Sequence, residues 1–364
     1  MTKNKLILIS TGGTGGHVFP AQAIADKLVS KNYSLHLVTD KRALKYLDGA
    51  FLDMRKTVIL ASGANEKFSS KLLNLTLLII SSLKIMGKFF LQKPKMVISF
   101  GGYLTLPASL YAIIFRVPLI LHEQNSVLGQ INRLFLPFAK KLFISFPNTQ
   151  NIKEKYKNKI ILTGLPIRNK FIEAMNNKKI NRNRYLKILV VGGSQGARIF
   201  SDIIPKSIQN LGKSLQERIY ITQQAREENI DKVISEYSKI KCKHNIKTFF
   251  DNLEELYDRH DLVICRGGAS SIAELMVFKK VAILVPFAKA KDNHQLYNAK
   301  FLSENSKIIL KTEDKFCSKW LSLFIADLLN NPDKIQDIQK SYNNKYKGLH
   351  LNSVNKFVKE LDNI

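Results

Sequence analysis

Short apolar runs recur along the chain, each followed by a stretch whose apolar positions return every three or four residues. In the first half the runs fall near 6–10 (LILIS), 35–39 (LHLVT), 57–61, 96–100 (MVISF), 119–122 (LILH) and 142–145. In the second half they fall near 187–191 (KILVV), 219–222, 246–249, 262–265 (LVIC) and 282–285 (AILV). Runs this short and this apolar predict strands buried on both faces. The stretches at 21–31, 104–115, 197–211 and 270–278 predict helices between them. Strand–helix alternation builds a parallel sheet with helices on both faces, so the predicted class is α/β. The last stretch, 351–364, is helical by its pattern, and its pattern does not say where it packs.

Each half opens its strongest strand–helix turn with a glycine-rich loop: "ISTGGTGGH" at 9–17 and "VVGGSQGA" at 190–197. Two such openings predict two doubly wound sheets in series, joined near "TGLPIR" (163–168), where Gly and Pro interrupt the pattern. In such sheets ligands sit beyond the carboxyl ends of the strands. Neither loop fits a common nucleotide motif. Gly13-Thr14-Gly15 begins a G-x-G-x-x-G, but Val18 stands at the third glycine, and neither loop has the Walker A lysine. The physics survives the mismatch, because glycines let backbone N–H groups approach an anion and the following helix adds partial positive charge. A tight turn without a ligand explains one such loop; two at equivalent places favour anion binding.

The 364 residues are 45% hydrophobic, which fits a folded chain of about two domains. The net charge of +28 reads as compositional drift towards lysine or as an anionic partner, nucleic acid or acidic lipid. No RNP1 signature accompanies it, and no nucleic-acid partner is expected. Cys242, Cys265 and Cys317 make no C-x-x-C pair, which fits reduced thiols and argues against a disulfide framework or a zinc site. "MTKNKLILIS" resembles a signal peptide briefly, but glycines follow where a cleavage site belongs.

Three further stretches carry chemistry. Asp40 ends "LHLVTD" and Lys41-Arg42 follow; in a Rossmann enzyme these would suit a ribose and a 2′-phosphate, so an NADP-dependent cytosolic oxidoreductase is the alternative reading. In "CRGGASSIAEL" (265–275) the amides of Ala269, Ser270 and Ser271 open a helix and would face a diphosphate, with Glu274 one turn on for a ribose. A capping box from Ser271 to Glu274 accounts for the same residues. "VPFAKAKDNHQLYNA" (285–299) offers Asp292, Asn293, His294 and Gln295 to sugar hydroxyls, or is a solvated loop.

Taken together, "GGTGGHVFPA" (12–21), "SFGGY" (99–103), "HEQN" (122–125), "TGLPIR" (163–168), "GGSQGA" (192–197), "CRGGASSIAE" (265–274) and "DNHQLYNA" (292–299) resemble the MurG family, in its order and over almost the whole chain. The resemblance implies a GT-B architecture, two Rossmann-like domains facing a deep cleft. Residues 1–163 would form the acceptor and membrane-associating domain, 164–344 the UDP-sugar domain, and a helix at about 345–364 would pack back on the first. It implies an inverting transfer of N-acetylglucosamine from UDP-N-acetylglucosamine to the 4-hydroxyl of undecaprenyl-diphospho-N-acetylmuramoyl-pentapeptide. That step belongs to peptidoglycan synthesis, at the cytoplasmic face of the inner membrane.

Carried over by position, Arg168, Ser194, Ala269, Ser270, Ser271 and Glu274 would hold UDP, and the backbone of Phe250 would read uracil. Asn125, His294 and Gln295 would meet the sugar. Thr14, Gly15 and Gly16 would edge the reaction centre, with Gly13 and Tyr103 on the acceptor side. His17 is the candidate general base, because a neutral imidazole can take the proton of an attacking hydroxyl; a histidine that only orders the loop is the plainer alternative, and Glu123 is the second candidate base. No D-x-D occurs in the chain, so helix N-termini, serines and Arg168 are expected to stabilise the leaving diphosphate, with no metal and no cofactor.

A lipid acceptor requires a bilayer contact. In 72–83 (LLNLTLLIISSL) and beyond, Leu72, Leu75, Ile79, Leu83, Met86 and Phe90 form one stripe, and Leu73, Leu77 and Ile80 widen it. Lys71, Lys84, Lys88, Lys93 and Lys95 flank it, and "RLFLPFAKKLFISF" (133–146) is a second basic-aromatic stretch. A core helix explains one stripe; an interfacial helix on an anionic membrane surface, over about 71–95, explains both.

Overall fold

A computed structural model describes residues 5–60, 68–176, 185–193 and 196–364, and the side chains of all of these but 68–75. The chain divides into two compact units. One ends at Arg168 and is completed by Leu349–Ile364; the other is Asn169–Gly348.

Among the described residues the first unit holds seven parallel strands: β1 (Leu6–Ser10), β2 (Ser34–Asp40), β3 (Arg55–Ile59), β4 (Met96–Ser99), β5 (Leu119–Glu123), β6 (Lys141–Ile144) and β7 (Ile160–Leu162). Their order is β3-β2-β1-β4-β5-β6-β7. The second unit holds β8 (Leu186–Val191), β9 (Ile219–Gln224), β10 (Lys243–Lys247), β11 (Leu262–Cys265), β12 (Val281–Leu284) and β13 (Ile309–Leu310), in the order β10-β9-β8-β11-β12-β13. In each sheet the order reverses beside the strand that precedes the glycine loop, which is where doubly wound sheets bind ligands. Two apolar layers sandwich the first sheet. One gathers Ile7, Ile9, Ile24 and Leu37; the other Leu8, Val97, Tyr111 and Leu121.

The short edge strands β7 and β13 escape the apolar pattern. Their residues are half-buried, and each strand is only two or three residues long, set in an Ile-Ile-Leu run too short to stand out. The first helix also starts earlier than its pattern indicates. It spans Gly15–Ser30, so Gly15, Gly16 and His17 form its first turn rather than a loop before it.

The terminal helix Ser353–Asp362 packs on the first unit. Phe357 enters that unit's core, 4.2 Å from the Phe143 ring centroid, and Lys31 pairs with Asp362 at 2.8 Å. His350 anchors the return. It is fully buried, burial pushes it down to about 4, and its Nδ1 accepts the Leu165 N–H at 2.9 Å.

The helix Phe68–Phe89 does not face the way a core helix with this stripe would. Ser81, Ser82, Ile85 and Phe89 are buried. Ile79, Leu83 and Phe90, on the stripe that periodicity marks for the core, are 53%, 62% and 67% exposed. Leu72, Leu73, Leu75 and Lys71 lie outside the described side chains. Ser81 has a backbone partner on that side, and Ser82 satisfies its hydroxyl within its own helix. The Ser81 hydroxyl receives the Leu60 N–H at 3.3 Å, and the Ser82 hydroxyl donates to the Leu78 carbonyl at 2.7 Å. No described helix is long and apolar enough to cross a membrane.

Gly164 sets the geometry of the return. Its φ of +82° disfavours any side chain, and a Cβ there would lie 2.6 Å from the Leu349 carbonyl oxygen. Gly164→Ala is expected to destabilise the protein by about 2 kcal/mol or more, read by denaturant unfolding.

Candidate functional site

Parallel strands put the loops after β1, β4 and β5 side by side, since β1 pairs with β4 and β4 with β5. The first, with the opening turn of the helix Gly15–Ser30, carries Gly12–His17, the second Phe100–Tyr103 and the third Gln124–Gly129. His17 sits half-buried where they meet. Its Nδ1 lies 2.8 Å from the Phe100 carbonyl oxygen and 3.1 Å from Gln124 Oε1. A carbonyl oxygen only accepts, so Nδ1 carries the proton and donates to it, and Nε2 keeps its lone pair. Gly102 has no side chain to cover Nε2; a Cβ there would lie 3.7 Å from that nitrogen. The arrangement presents a basic nitrogen at a glycine loop.

The loop's shape comes from Asp40, at the end of β2. Asp40 is buried, and its Oδ1 accepts the Gly13 N–H at 2.8 Å. Oδ2 accepts from Arg42 Nε at 2.8 Å, and Arg42 also donates to the Tyr103 hydroxyl at 2.7 Å. Gly12 must be glycine, because a Cβ would come within 2.8 Å of the same carboxylate. Thr14 and Gly16 are exposed beside His17, while Gly15 is buried against the Phe19 ring.

Glu123, the second candidate base, is held by its own loop. It is buried, and both of its oxygens are taken. Oε1 accepts from the Asn125 backbone and side-chain N–H groups at 3.0 and 3.2 Å. Oε2 accepts from the Gly129 N–H at 2.8 Å and Asn132 Nδ2 at 2.9 Å. Its work is to hold the loop that carries Gln124 and Asn125. Arg168 is also in this unit, its guanidinium carbon 3.9 Å from the Phe19 ring centroid.

In the second unit the helix Ala269–Phe278 follows β11. Its N-cap is Gly268, with extended backbone and no side-chain cap, so the capping box at Ser271 does not form. The first helical bond runs from the Ile272 N–H to the Gly268 carbonyl at 3.0 Å. The amides of Ala269, Ser270 and Ser271 precede it and have no acceptor within the helix, the arrangement that suits an anion. Glu274 is buried one turn on, where its charge helps push the Cys265 thiol up; burial is the larger cause. Phe250 is buried, whereas its neighbour Phe249 is 47% exposed. Gln295 Oε1 accepts the Phe287 N–H at 3.0 Å, and His294 Nδ1–H donates to the Lys291 carbonyl at 2.8 Å. Gly192 opens the second glycine loop and donates its N–H to Gln224 Oε1 at 3.1 Å. Ser194 lies outside the described residues.

The Glycosyltransferase family 28 N-terminal domain matches residues 7–144, and the Glycosyltransferase family 28 C-terminal domain matches residues 187–359. A protein of Rickettsia bellii (strain RML369-C) is 37% identical over 340 residues, covering 93% of this chain and 94% of that protein. Its name is UDP-N-acetylglucosamine--N-acetylmuramyl-(pentapeptide) pyrophosphoryl-undecaprenol N-acetylglucosamine transferase. A protein of the same name from Wolbachia sp. subsp. Drosophila simulans (strain wRi) is 38% identical over 335 residues, covering 92% and 93%. The chain belongs to the MurG family. MurG of Acinetobacter baumannii shares the fold, with a TM-score of 0.73 over 99% of each chain at 23% identity. The GT-B fold expected from the resemblance is therefore the observed one.

For a MurG-family chain the oxidoreductase alternative falls. The carboxylate it needed for a ribose, Asp40, is spent on Gly13 and Arg42. Two residues of the site carried no assigned role in the sequence. Gln124 is visible in "HEQN" without a hint of its partner, and Phe100 acts through its carbonyl, which no side chain encodes.

Glu123→Gln replaces an acceptor oxygen with a donor that faces N–H groups. The expected cost is about 1–3 kcal/mol of stability. Hydrogen exchange at the Asn125 and Gly129 amides should accelerate with it.

Proposed function

We propose that this chain transfers N-acetylglucosamine from UDP-N-acetylglucosamine to the 4-hydroxyl of undecaprenyl-diphospho-N-acetylmuramoyl-pentapeptide, with inversion. The relatives' shared name supports the two substrates, and the observation that carries the chemistry is His17 Nδ1 at 2.8 Å from the Phe100 carbonyl oxygen, which assigns the proton to Nδ1 and the lone pair to Nε2. The hydroxyl oxygen attacks the anomeric carbon as Nε2 takes its proton. The bond from that carbon to the diphosphate oxygen breaks, and UDP leaves with the electron pair. General-base assistance of this kind contributes about 10²–10⁴-fold.

The first unit takes the acceptor, with Gly13, Thr14, Gly15, Gly16 and Tyr103 near its diphosphate and reacting sugar. The second takes the nucleotide. The amides of Ala269, Ser270 and Ser271, with Ser194 and Arg168, stabilise the departing diphosphate electrostatically. Glu274 takes the ribose, Phe250 the uracil by its backbone, and Asn125, His294 and Gln295 the sugar. No metal step is needed, since these donors supply the positive charge.

His17→Ala should lower kcat by about 10²-fold or more while UDP-N-acetylglucosamine still binds by calorimetry. Wild-type turnover in that variant would remove His17 from the chemistry. Titration should favour UDP-N-acetylglucosamine over UDP-glucose, and EDTA should leave turnover unchanged.

The membrane reading is part of the same proposal. Ile79, Ile80, Leu83, Phe90 and Leu91 are exposed apolar residues, and so are Leu134 and Phe138 of the second basic-aromatic stretch. Set into the cytoplasmic leaflet of the inner membrane, each would add apolar burial, and each nearby lysine about 1 kcal/mol on acidic head groups. Ile79→Ser, Ile80→Ser and Leu83→Ser together should weaken binding to anionic vesicles by more than about tenfold and leave UDP-sugar titration unchanged.

A further inference from the structure

We infer that Gln124 is a positioning residue: its side-chain amide, clamped between the Phe100 carbonyl and the His122 ring, holds His17 with its proton on Nδ1 and its Nε2 lone pair turned to the incoming hydroxyl. The inference rests on His17 being the base, and it assigns a role to a buried residue that acts through that ring.

Every donor and acceptor in the cluster agrees on one arrangement. Gln124 Nε2 lies 2.9 Å from the Phe100 carbonyl oxygen and 3.0 Å from His122 Nδ1. Its two N–H bonds fill those two positions, which leaves Oε1 for the His17 Nδ1–H at 3.1 Å. Turning the amide over would set Oε1 against the Phe100 carbonyl oxygen and a lone pair of His122, two acceptor–acceptor clashes. His122 is fully buried, and burial pushes it down to about 3, so it stays neutral and takes the Gln124 N–H on its Nδ1. Its proton is then on Nε2, facing Ser145 Oγ at 3.5 Å. The Ser145 hydroxyl in turn donates to the Glu123 carbonyl at 2.9 Å. The chain of bonds ends on backbone carbonyls at both sides, so it cannot be inverted by moving protons along it.

The cluster serves the reaction in two ways. Before transfer, Nδ1 is already protonated, so no tautomer exchange precedes attack. During transfer Nε2 gains a proton, and the growing positive charge strengthens both Nδ1–H bonds. The other ionisable groups on the neighbouring strand ends are committed elsewhere. Asp40 pairs with Arg42, Tyr103 receives Arg42, and the Glu123 carboxylate holds its own loop. The charge of the His17 ring is therefore answered by Gln124 Oε1 and the Phe100 carbonyl, against an uncharged His122.

The test compares Gln124→Met, Gln124→Glu and His17→Ala in the full-length protein. Gln124→Met removes an acceptor for the His17 cation. It should lower kcat by about ten- to a hundredfold, leave KM for UDP-N-acetylglucosamine within about twofold, and move the acid limb of kcat/KM to lower pH. Gln124→Glu places a negative charge beside the ring and should move the same limb to higher pH. Opposite shifts support the inference, since a merely structural role would not reverse sign. An acid limb unmoved in both variants overturns it. Long-range proton–nitrogen spectra of the wild-type protein, with the His17 signals assigned by their loss in His17→Ala, read the tautomer without any folding question in the Gln124 variants. A proton on Nε2 overturns the inference, since Gln124 Oε1 would then face a lone pair on Nδ1. Full turnover in His17→Ala would sink the base reading instead. Lost turnover there, with unmoved limbs in the Gln124 variants, would sink the positioning role alone.

Discussion

Parallel pairing of β1, β4 and β5 is the constraint on which the rest depends. Because all three strands run the same way in adjacent positions, their carboxyl ends lie at one edge. A glycine loop, a bare backbone carbonyl and a glutamine side chain are thereby brought within hydrogen-bonding distance of one imidazole. The sheet's hydrogen bonds make this placement stiff, so the ring inherits the precision of the strands rather than the freedom of a loop.

The polar groups buried at that edge are costly to leave unpaired, and the chain answers them one by one. Asp40 meets Gly13 and Arg42; Glu123 meets Asn125, Gly129 and Asn132. Each carboxylate fixes a loop, and each would look like a catalytic candidate if only its residue type were known. The terminal helix adds a further layer of support. The Phe357 ring packs 6.3 Å from the Phe100 ring and 5.8 Å from the His122 ring, behind the carbonyl and amide that orient His17. A segment at the far end of the chain thus backs the site built from its beginning.

The outward face of the helix Phe68–Phe89 shows where periodicity misleads. An amphipathic stripe says that one face is apolar but not which phase meets the core. Here Ser81 and Ser82 lie inward with their hydroxyls satisfied by backbone, Ser82's within its own helix, and longer side chains are left outside. The same property that makes the stripe a poor core marker makes it a strong interfacial candidate.

Most strand positions, the two-sheet organisation and the two glycine loops were determined by the sequence itself, the short edge strands β7 and β13 apart. These are local signals: an apolar run, a switch of period, a cluster of glycines. His17 was legible because it directly follows the glycines of one short stretch. What His17 touches was not, since Phe100 and Gln124 lie 83 and 107 residues away and one of them acts through its backbone. Nor was the docking of Asp362 on Lys31, a pair 331 residues apart. Tertiary structure decided that Glu123 is a clamp, that Asp40 shapes a loop, and that the apolar helix face points outward. The reason is common to all three: a side chain's role follows from the partners that reach it, and long-range partners are chosen by the sheet's topology, not by the residues beside it in the chain.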